Sequence, residues 1–118
     1  PLVVEGAGGL MVPIREDMLM IDLIQQMDLP VVLVARSGLG TINHTLLSLE
    51  ALRRRGIPVL GVVLSGPENS GNARDIERFG NVRILFSVPR LEEINETAVS
   101  EIADRVPPFY VCQQQSSQ

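Results

Sequence analysis

Short runs of branched apolar residues recur along the chain and alternate with stretches of mixed polarity. Four such runs occupy residues 2–4, 31–35, 59–64 and 83–88. Each is followed by polar or Gly/Pro residues and then by a stretch of helical character. The runs are continuously apolar, which is typical of strands covered on both faces. We therefore predict a three-layer α/β/α fold with a mainly parallel sheet.

The clearest helical pattern covers residues 41–55. Ile42, Leu46, Leu49 and Leu52 follow one another at steps of three or four residues, and Gly56 ends the pattern. Weaker patterns predict helices over residues 18–27, 72–79 and 96–105. We expect one domain over residues 1–108 and a flexible tail over residues 109–118. Because Pro1 leads directly into the first apolar run, we also expect this domain to continue from a segment upstream.

The composition narrows the classes of ligand and location. With 118 residues and 45% hydrophobic residues, the chain can bury one modest core. A net charge of -4 argues against a nucleic-acid partner, because nucleic-acid binders usually carry a basic face. The apolar runs are too short to span a membrane, which takes about 20 residues. Cys112 is the only cysteine, so neither a disulfide framework nor a cysteine metal site is expected, and we predict a cytoplasmic protein.

Ligands of open α/β sheets bind beyond the carboxyl ends of the strands, which directs attention to the segment after the first run. This segment reads Glu5-Gly6-Ala7-Gly8-Gly9. A carboxylate is a ligand for a hard cation, and glycines let the backbone approach a phosphate closely. The alternative is a tight turn with Glu5 in solvent, and the residues alone leave both interpretations open.

A second glycine-rich segment follows the second run and reads Gly38-Leu39-Gly40-Thr41-Ile42-Asn43. It opens into the predicted helix, whose unpaired N–H groups and positive dipole end favour an anion. The alternative is that Thr41 caps the helix while Gly38 and Gly40 serve the turn. Capping and anion binding are compatible with each other.

Several separated motifs, in order, resemble the carboxyl-terminal half of dethiobiotin synthetases. The matching segments are Val4-Glu5-Gly6-Ala7-Gly8-Gly9, Val12-Pro13, Leu29-Pro30-Val31 and Gly38-Leu39-Gly40-Thr41-Ile42-Asn43-His44. The resemblance continues to Leu91 and implies part of a P-loop NTPase-type fold that acts as a homodimer. It also implies the family reaction, in which CO₂ adds to 7,8-diaminononanoate as a carbamate, ATP phosphorylates the carbamate, and ring closure to a cyclic urea releases phosphate.

The resemblance further implies roles for individual residues. Glu5 would help bind Mg²⁺, and Glu5, Gly6, Ala7 and Gly8 would lie against the phosphates of ATP. The residues Gly40, Thr41, Ile42 and Asn43 would receive the carboxylate of the substrate at the active site of the other subunit. Further nucleotide contacts would come from Ser65, Gly66, Pro89, Arg90, Leu91 and Glu96.

Ser65 departs from the family pattern, which has an asparagine where the adenine base is contacted. A serine hydroxyl cannot replace the paired donor and acceptor of an amide, so base preference is left open. Nearby Asn69 or Asn72 offers an amide instead. A simple turn at Ser65-Gly66-Pro67 is the alternative interpretation.

The chain contains no lysine, since all ten basic residues are arginines, and it contains no Gly-x-x-x-x-Gly-Lys-Ser/Thr loop. The phosphate-binding and substrate-activating lysines of the family are therefore absent, and we predict no catalytic residue in this chain. We expect an ATP-dependent ligase as the parent protein and an inactive chain on its own. The alternatives are a noncatalytic module that dimerises or binds a small anion, and a related ATP-dependent amide ligase.

Overall fold

A computed structural model describes residues 2–108 as an α/β arrangement. In chain order the elements are β1 (Pro13–Arg15), β2 (Met18–Leu19), α1 (Met20–Met27), β3 (Val31–Arg36), α2 (Thr41–Arg54), β4 (Val59–Ser65), α3 (Ser70–Gly80), β5 (Ile84–Val88) and α4 (Glu96–Ala103). No helix within these described residues is long and apolar enough to cross a membrane.

The central sheet has the order β3-β4-β5, and both pairings are parallel. Leu33 lies opposite Val62, and Val62 lies opposite Ile84. Parallel neighbours require a crossover connection, and here α2 and α3 provide the two crossovers. The predicted α/β class with a parallel sheet is confirmed.

Helices α2 and α3 cover one face of this sheet. Leu49 of α2 and Ile76 of α3 pack with Val62 and Leu64 of β4, and all four side chains are buried. Side chains alternate between the two faces of a strand, so Val34 of β3 points to the face of the sheet that lies away from α2 and α3. There it is 66% exposed. Within residues 2–108, the two faces of β3 are therefore covered unequally.

A second buried cluster joins α1 to the end of α2. It consists of Ile21, Leu52 and Ile57. Above it, the Arg55 guanidinium donates to the carboxylate of Asp22, which also accepts from the Leu19 N–H at 2.8 Å. The hydrogen bond from Arg55, then that from Leu19, lowers the pKa of Asp22 against a smaller opposing effect of desolvation.

Three of the differences between predicted and observed elements have a physical reason in the contacts of the chain. Residues 2–4 form no strand, and the exposed fractions of Leu2 and Val3 are 87% and 89%. A strand persists through its hydrogen-bonded neighbour, and no strand within residues 2–108 pairs with this segment. Met18–Leu19 form a strand instead of a helical turn, because they pair with β1.

The third difference is the start of α3, which begins at Ser70 instead of Asn72. Asn69 caps this helix by accepting a hydrogen bond from the Asn72 N–H. The predicted tail at residues 109–118 lies outside the described residues.

Candidate functional site at the carboxyl edge of the sheet

Backbone hydrogen bonds tie together the segments that follow the three parallel strands. The Ser37 N–H donates to the Ser65 carbonyl at 3.1 Å, and the Gly66 N–H donates to the Val88 carbonyl at 2.9 Å. The ends of β3, β4 and β5 therefore meet at one edge. This edge brings Ser65, Gly66 and the start of the segment at Pro89 together.

Close approach at this edge explains why position 66 is a glycine. Gly66 has a φ of 127°, a conformation that residues with a Cβ rarely adopt. A Cβ at this position would lie 2.6 Å from the Ser37 Oγ, and Ser37 is itself buried. Gly66 therefore lets the segment after β4 pass against the segment after β3.

The amide of Asn72 bridges the same region from α3. Its Nδ2 donates to the Ser37 carbonyl at 2.8 Å and lies 3.5 Å from the Gly38 carbonyl, at the limit of a hydrogen bond. The Asn69 Oδ1 accepts from the Asn72 N–H at 2.9 Å. Both asparagines considered as replacements for the family's base-contacting amide therefore have local partners.

The second glycine-rich segment leads from this edge into α2. Gly40 is the N-cap residue, with a φ of 90° and no side chain to accept a hydrogen bond. The Thr41 N–H donates to the Gly38 carbonyl at 3.2 Å, and the His44 N–H donates to the Gly40 carbonyl at 3.1 Å.

Two N–H groups of the first turn of α2, those of Ile42 and Asn43, have no hydrogen-bond partner within the described part of the chain. Unpaired N–H groups at the positive end of the helix dipole form the geometry that an anion requires. The start of α2 is therefore suited to a carboxylate or phosphate.

Thr41 does not cap α2, so that part of the alternative interpretation is wrong, whereas Gly40 does serve the turn with its positive φ. Its hydroxyl lies 3.3 Å from the hydroxyl of Thr45, one helical turn on, and both side chains are buried. The threonine satisfies its hydroxyl inside the helix packing and leaves the amino end of α2 open.

The first glycine-rich segment packs against the start of α1. The Ile21 N–H donates to the Leu10 carbonyl at 2.9 Å, and a Cβ at Gly6 would lie 2.8 Å from the Met20 Sδ. Glu5, Ala7 and Gly8 are exposed. Within residues 2–108 no hydrogen bond joins this segment to the segment at the start of α2. The first glycine-rich segment therefore forms a turn, and the exposed Glu5 carboxylate faces solvent.

A divalent cation at Glu5 would need oxygen ligands besides this residue. No cluster of three or more His, Cys, Asp or Glu side chains suited to a metal occurs among residues 2–108. Mg²⁺ usually binds one or two carboxylates together with phosphate oxygens and water. Within residues 2–108, a cation at Glu5 would therefore depend on ligands other than a cluster of side chains from this part of the chain.

The remaining predicted nucleotide contacts follow β5. Arg90 is exposed and Leu91 is half-buried, and Glu96 is the exposed first residue of α4. The Asn95 Oδ1 caps α4 by accepting from the Ala98 N–H at 2.9 Å. Pro89 directly follows β5 at the carboxyl edge of the sheet, whereas Glu96 lies in α4.

The sequence did not indicate that Ser37 is buried or that the Asn72 side chain bonds to the segment after β3. Both depend on contacts between residues about 35 positions apart, Asn72 Nδ2 with the Ser37 carbonyl. The only available signal was the position of Ser37 two residues after a predicted strand. A buried serine at that place is unusual for a residue type that is mostly exposed.

The parallel sheet β3-β4-β5, taken together with a match to a family model of P-loop NTPase type, defines the class of this α/β domain. The chain belongs to a family described as AAA domain, whose model matches residues 1–98. Within this family, proteins similar to the chain are named dethiobiotin synthetases. The resemblance found in the sequence is therefore confirmed.

The chain is 55% identical over 112 residues to the ATP-dependent dethiobiotin synthetase BioD of Paramagnetospirillum magneticum, covering 95% of this chain and 53% of that protein. It is 52% identical over 101 residues to the enzyme of the same name from Agrobacterium fabrum, covering 86% of this chain and 48% of that protein. It is also 60% identical over 107 residues to the biotin biosynthesis bifunctional protein BioCD of Bordetella avium, covering 91% of this chain and 23% of that protein. The chain thus spans about half the length of the dethiobiotin synthetases it matches.

Proposed function

We propose that this chain forms part of the active site of an ATP-dependent dethiobiotin synthetase. The observation that carries the proposal is the 55% identity to such an enzyme along 95% of the chain. In the proposed reaction CO₂ forms a carbamate on one amine of 7,8-diaminononanoate. ATP phosphorylates the carbamate, and the second amine closes the ureido ring with release of phosphate.

The nucleotide side of the proposed site uses two groups of residues. Glu5 contributes a carboxylate to Mg²⁺, while the backbone of Gly6, Ala7 and Gly8 lies against the phosphates of ATP. The base side is formed by the strand edge and the segment after β5, with Ser65, Gly66, Pro89, Arg90, Leu91 and Glu96. The exposed Glu5 and the close packing at Gly66 support these assignments.

The substrate side is the start of α2, from Gly40 to Asn43. The unpaired N–H groups of Ile42 and Asn43 suit the carboxylate at the end of an apolar carbon chain. Leu39 and Asn43 are exposed, as a site shared with a second copy in a homodimer requires. The homodimer is part of the proposal.

The proposed site is incomplete in these residues, because the chain contains no lysine. Arginine holds phosphate but keeps its proton at all physiological pH values, so it cannot replace a lysine that reacts as an amine. In the proposed enzyme, residues outside this sequence supply the phosphate-binding loop and its lysine. Cytoplasmic location also stays a prediction.

A chimera tests the proposal directly. This chain replaces the matching segment in the Paramagnetospirillum enzyme, and the product is assayed for dethiobiotin formation from 7,8-diaminononanoate, CO₂, ATP and Mg²⁺. We expect turnover within about tenfold of the parent enzyme, and no turnover from the 118-residue chain alone. A folded chimera that hydrolyses ATP but makes no dethiobiotin would overturn the assignment of substrate.

A single charge substitution tests the substrate side. Asn43→Asp adds a negative charge in the first turn of α2, where it suits the helix dipole but repels a substrate carboxylate. We expect the KM for diaminononanoate to rise about tenfold, equivalent to about 1.4 kcal/mol, while the KM for ATP changes less than twofold. Gln26→Glu makes the same charge change on the exposed face of α1 and should leave both values unchanged.

A matched substitution tests the metal side. Glu5→Gln keeps the size of the side chain and removes its charge, so the Mg²⁺ concentration for half-maximal activity should rise about tenfold or more. Glu16→Gln, at an exposed position in the turn between β1 and β2, is the control. Equal metal dependence in both variants would leave Glu5 as a turn residue only.

A further inference from the structure

We propose that Asn72 is a positioning residue that holds the segment from Ser37 to Gly40 in the conformation that opens the start of α2 to a carboxylate. The assignment of this start to the substrate rests on the proposed function. The contact that carries the inference is the Asn72 Nδ2 donating to the Ser37 carbonyl at 2.8 Å.

Asn72 is fixed from its own helix. Its N–H is held by the Asn69 Oδ1 at 2.9 Å, and one turn further on Ile76 is fully buried in the core cluster. Residues four apart lie on the same face of a helix, so the packing that buries Ile76 also directs the Asn72 side chain inward. Asn72 is itself half-buried.

Two carbonyl oxygens face the Asn72 amide group. A carbonyl oxygen can only accept a hydrogen bond, so the group that faces it must be a donor such as the Asn72 Nδ2. The second is the Gly38 carbonyl at 3.5 Å. That same carbonyl accepts from the Thr41 N–H, the first residue of α2, at 3.2 Å. The bond from Asn72 to the Ser37 carbonyl thus holds the residue that directly precedes the acceptor of the Thr41 N–H.

The base side of the proposed site is held by other contacts. The bond from Ser37 N to Ser65 O and that from Gly66 N to Val88 O are both between backbone groups. Loss of the Asn72 donor therefore leaves these bonds in place and loosens the Gly38–Thr41 turn. Substrate binding should respond to this loss more strongly than ATP binding.

The chain offers a matched pair of substitutions for the test. Asn72→Asp replaces the donor by a carboxylate oxygen that faces two carbonyls. Asn69→Asp makes the same chemical change three residues earlier but keeps the Oδ1 that caps α3. Both variants add one negative charge to the same helix start, and they differ in the lost donor and its replacement by a carboxylate at the half-buried position 72, whereas position 69 is exposed.

Amide hydrogen exchange of the 118-residue chain reports the position of the loop without any ligand. We expect exchange at the Thr41 N–H to be about tenfold faster in Asn72→Asp and within twofold of the original chain in Asn69→Asp. Amides of β4 should be unchanged in both and show that the fold is intact. If Asn72→Asp disrupts the fold, Asn72→Ala removes the donor without adding a charge, and Thr41 exchange about threefold faster is then expected.

The chimera described above provides the functional measurement. Asn72→Asp should raise the KM for diaminononanoate about tenfold and change the KM for ATP less than twofold, and Asn69→Asp should change neither. Equal effects of the two variants on Thr41 exchange, or an equal rise of both KM values in Asn72→Asp, would refute the positioning role. An inactive chimera with the expected exchange difference would refute the proposed function and keep the structural role of Asn72.

Discussion

Replacement of Gly66 by alanine should destabilise the carboxyl edge of the sheet. Two separate costs act at this position. The φ of 127° is unfavourable for a residue with a Cβ, at about 1–3 kcal/mol. A Cβ would also lie 2.6 Å from the Ser37 Oγ, and because rotation of this hydroxyl relieves part of the contact, the steric cost is at most about 1–3 kcal/mol more.

Two other glycines separate these costs. Gly9 has a φ of 103° but no atom within 4 Å of an added Cβ, so Gly9→Ala should show the backbone cost alone. Gly38 also has open space and has no positive φ, so Gly38→Ala should be neutral or stabilising by up to about 1 kcal/mol. In the Gly66→Ala background, Ser37→Ala should recover the steric part.

Urea denaturation followed by far-UV circular dichroism measures these differences, since the chain has no tryptophan for fluorescence. We expect free energies of unfolding in the order Gly38→Ala, Gly9→Ala, Gly66→Ala, from most to least stable. A Gly66→Ala variant within about 0.5 kcal/mol of Gly38→Ala would contradict the close approach of the two strand ends, because that difference is within the range of an ordinary surface substitution.

Three further predictions concern the packing and the helix ends. Leu49 is 1% exposed and Leu47, on the same helix, is 57% exposed, so Leu49→Ala should cost about 2–5 kcal/mol in urea denaturation and Leu47→Ala much less. Because the hydrogen bond from Arg55 lowers the pKa of Asp22, their pair stabilises the fold above the ordinary carboxyl pKa of about 3.9 and is lost as pH falls through the lowered value. Asp22→Asn should therefore lower the free energy of unfolding at pH 7 and reduce its dependence on pH below about 4, and an unchanged acid profile would count against the pair. Asn95→Ala should cost about 1 kcal/mol through the lost cap of α4, whereas Asn95→Asp keeps the accepting oxygen; similar losses in both would exclude capping as the cause.

The parts of the fold that depend on local pattern were predictable. The apolar runs that became β3, β4 and β5 are continuous in sequence, and the stripe containing Leu49 and Leu52 marks α2. The parallel pairing follows from the alternation of strands and helices, whereas the order β3-β4-β5 is known only from the structure. The run at residues 2–4 was misassigned because its residue types favour a strand, whereas a strand also requires a partner.

The sequence by itself determined which residue types follow each apolar run, namely the carboxylate and glycines from Glu5, the glycines before α2, and Ser65-Gly66 at the end of β4. These are local properties of composition and spacing. Only the tertiary structure decided that Gly66 lies against Ser37 and that the amide of Asn72 reaches the Ser37 carbonyl. Such contacts join residues far apart in the chain, and their geometry depends on how α3 packs on the sheet, which no local pattern specifies.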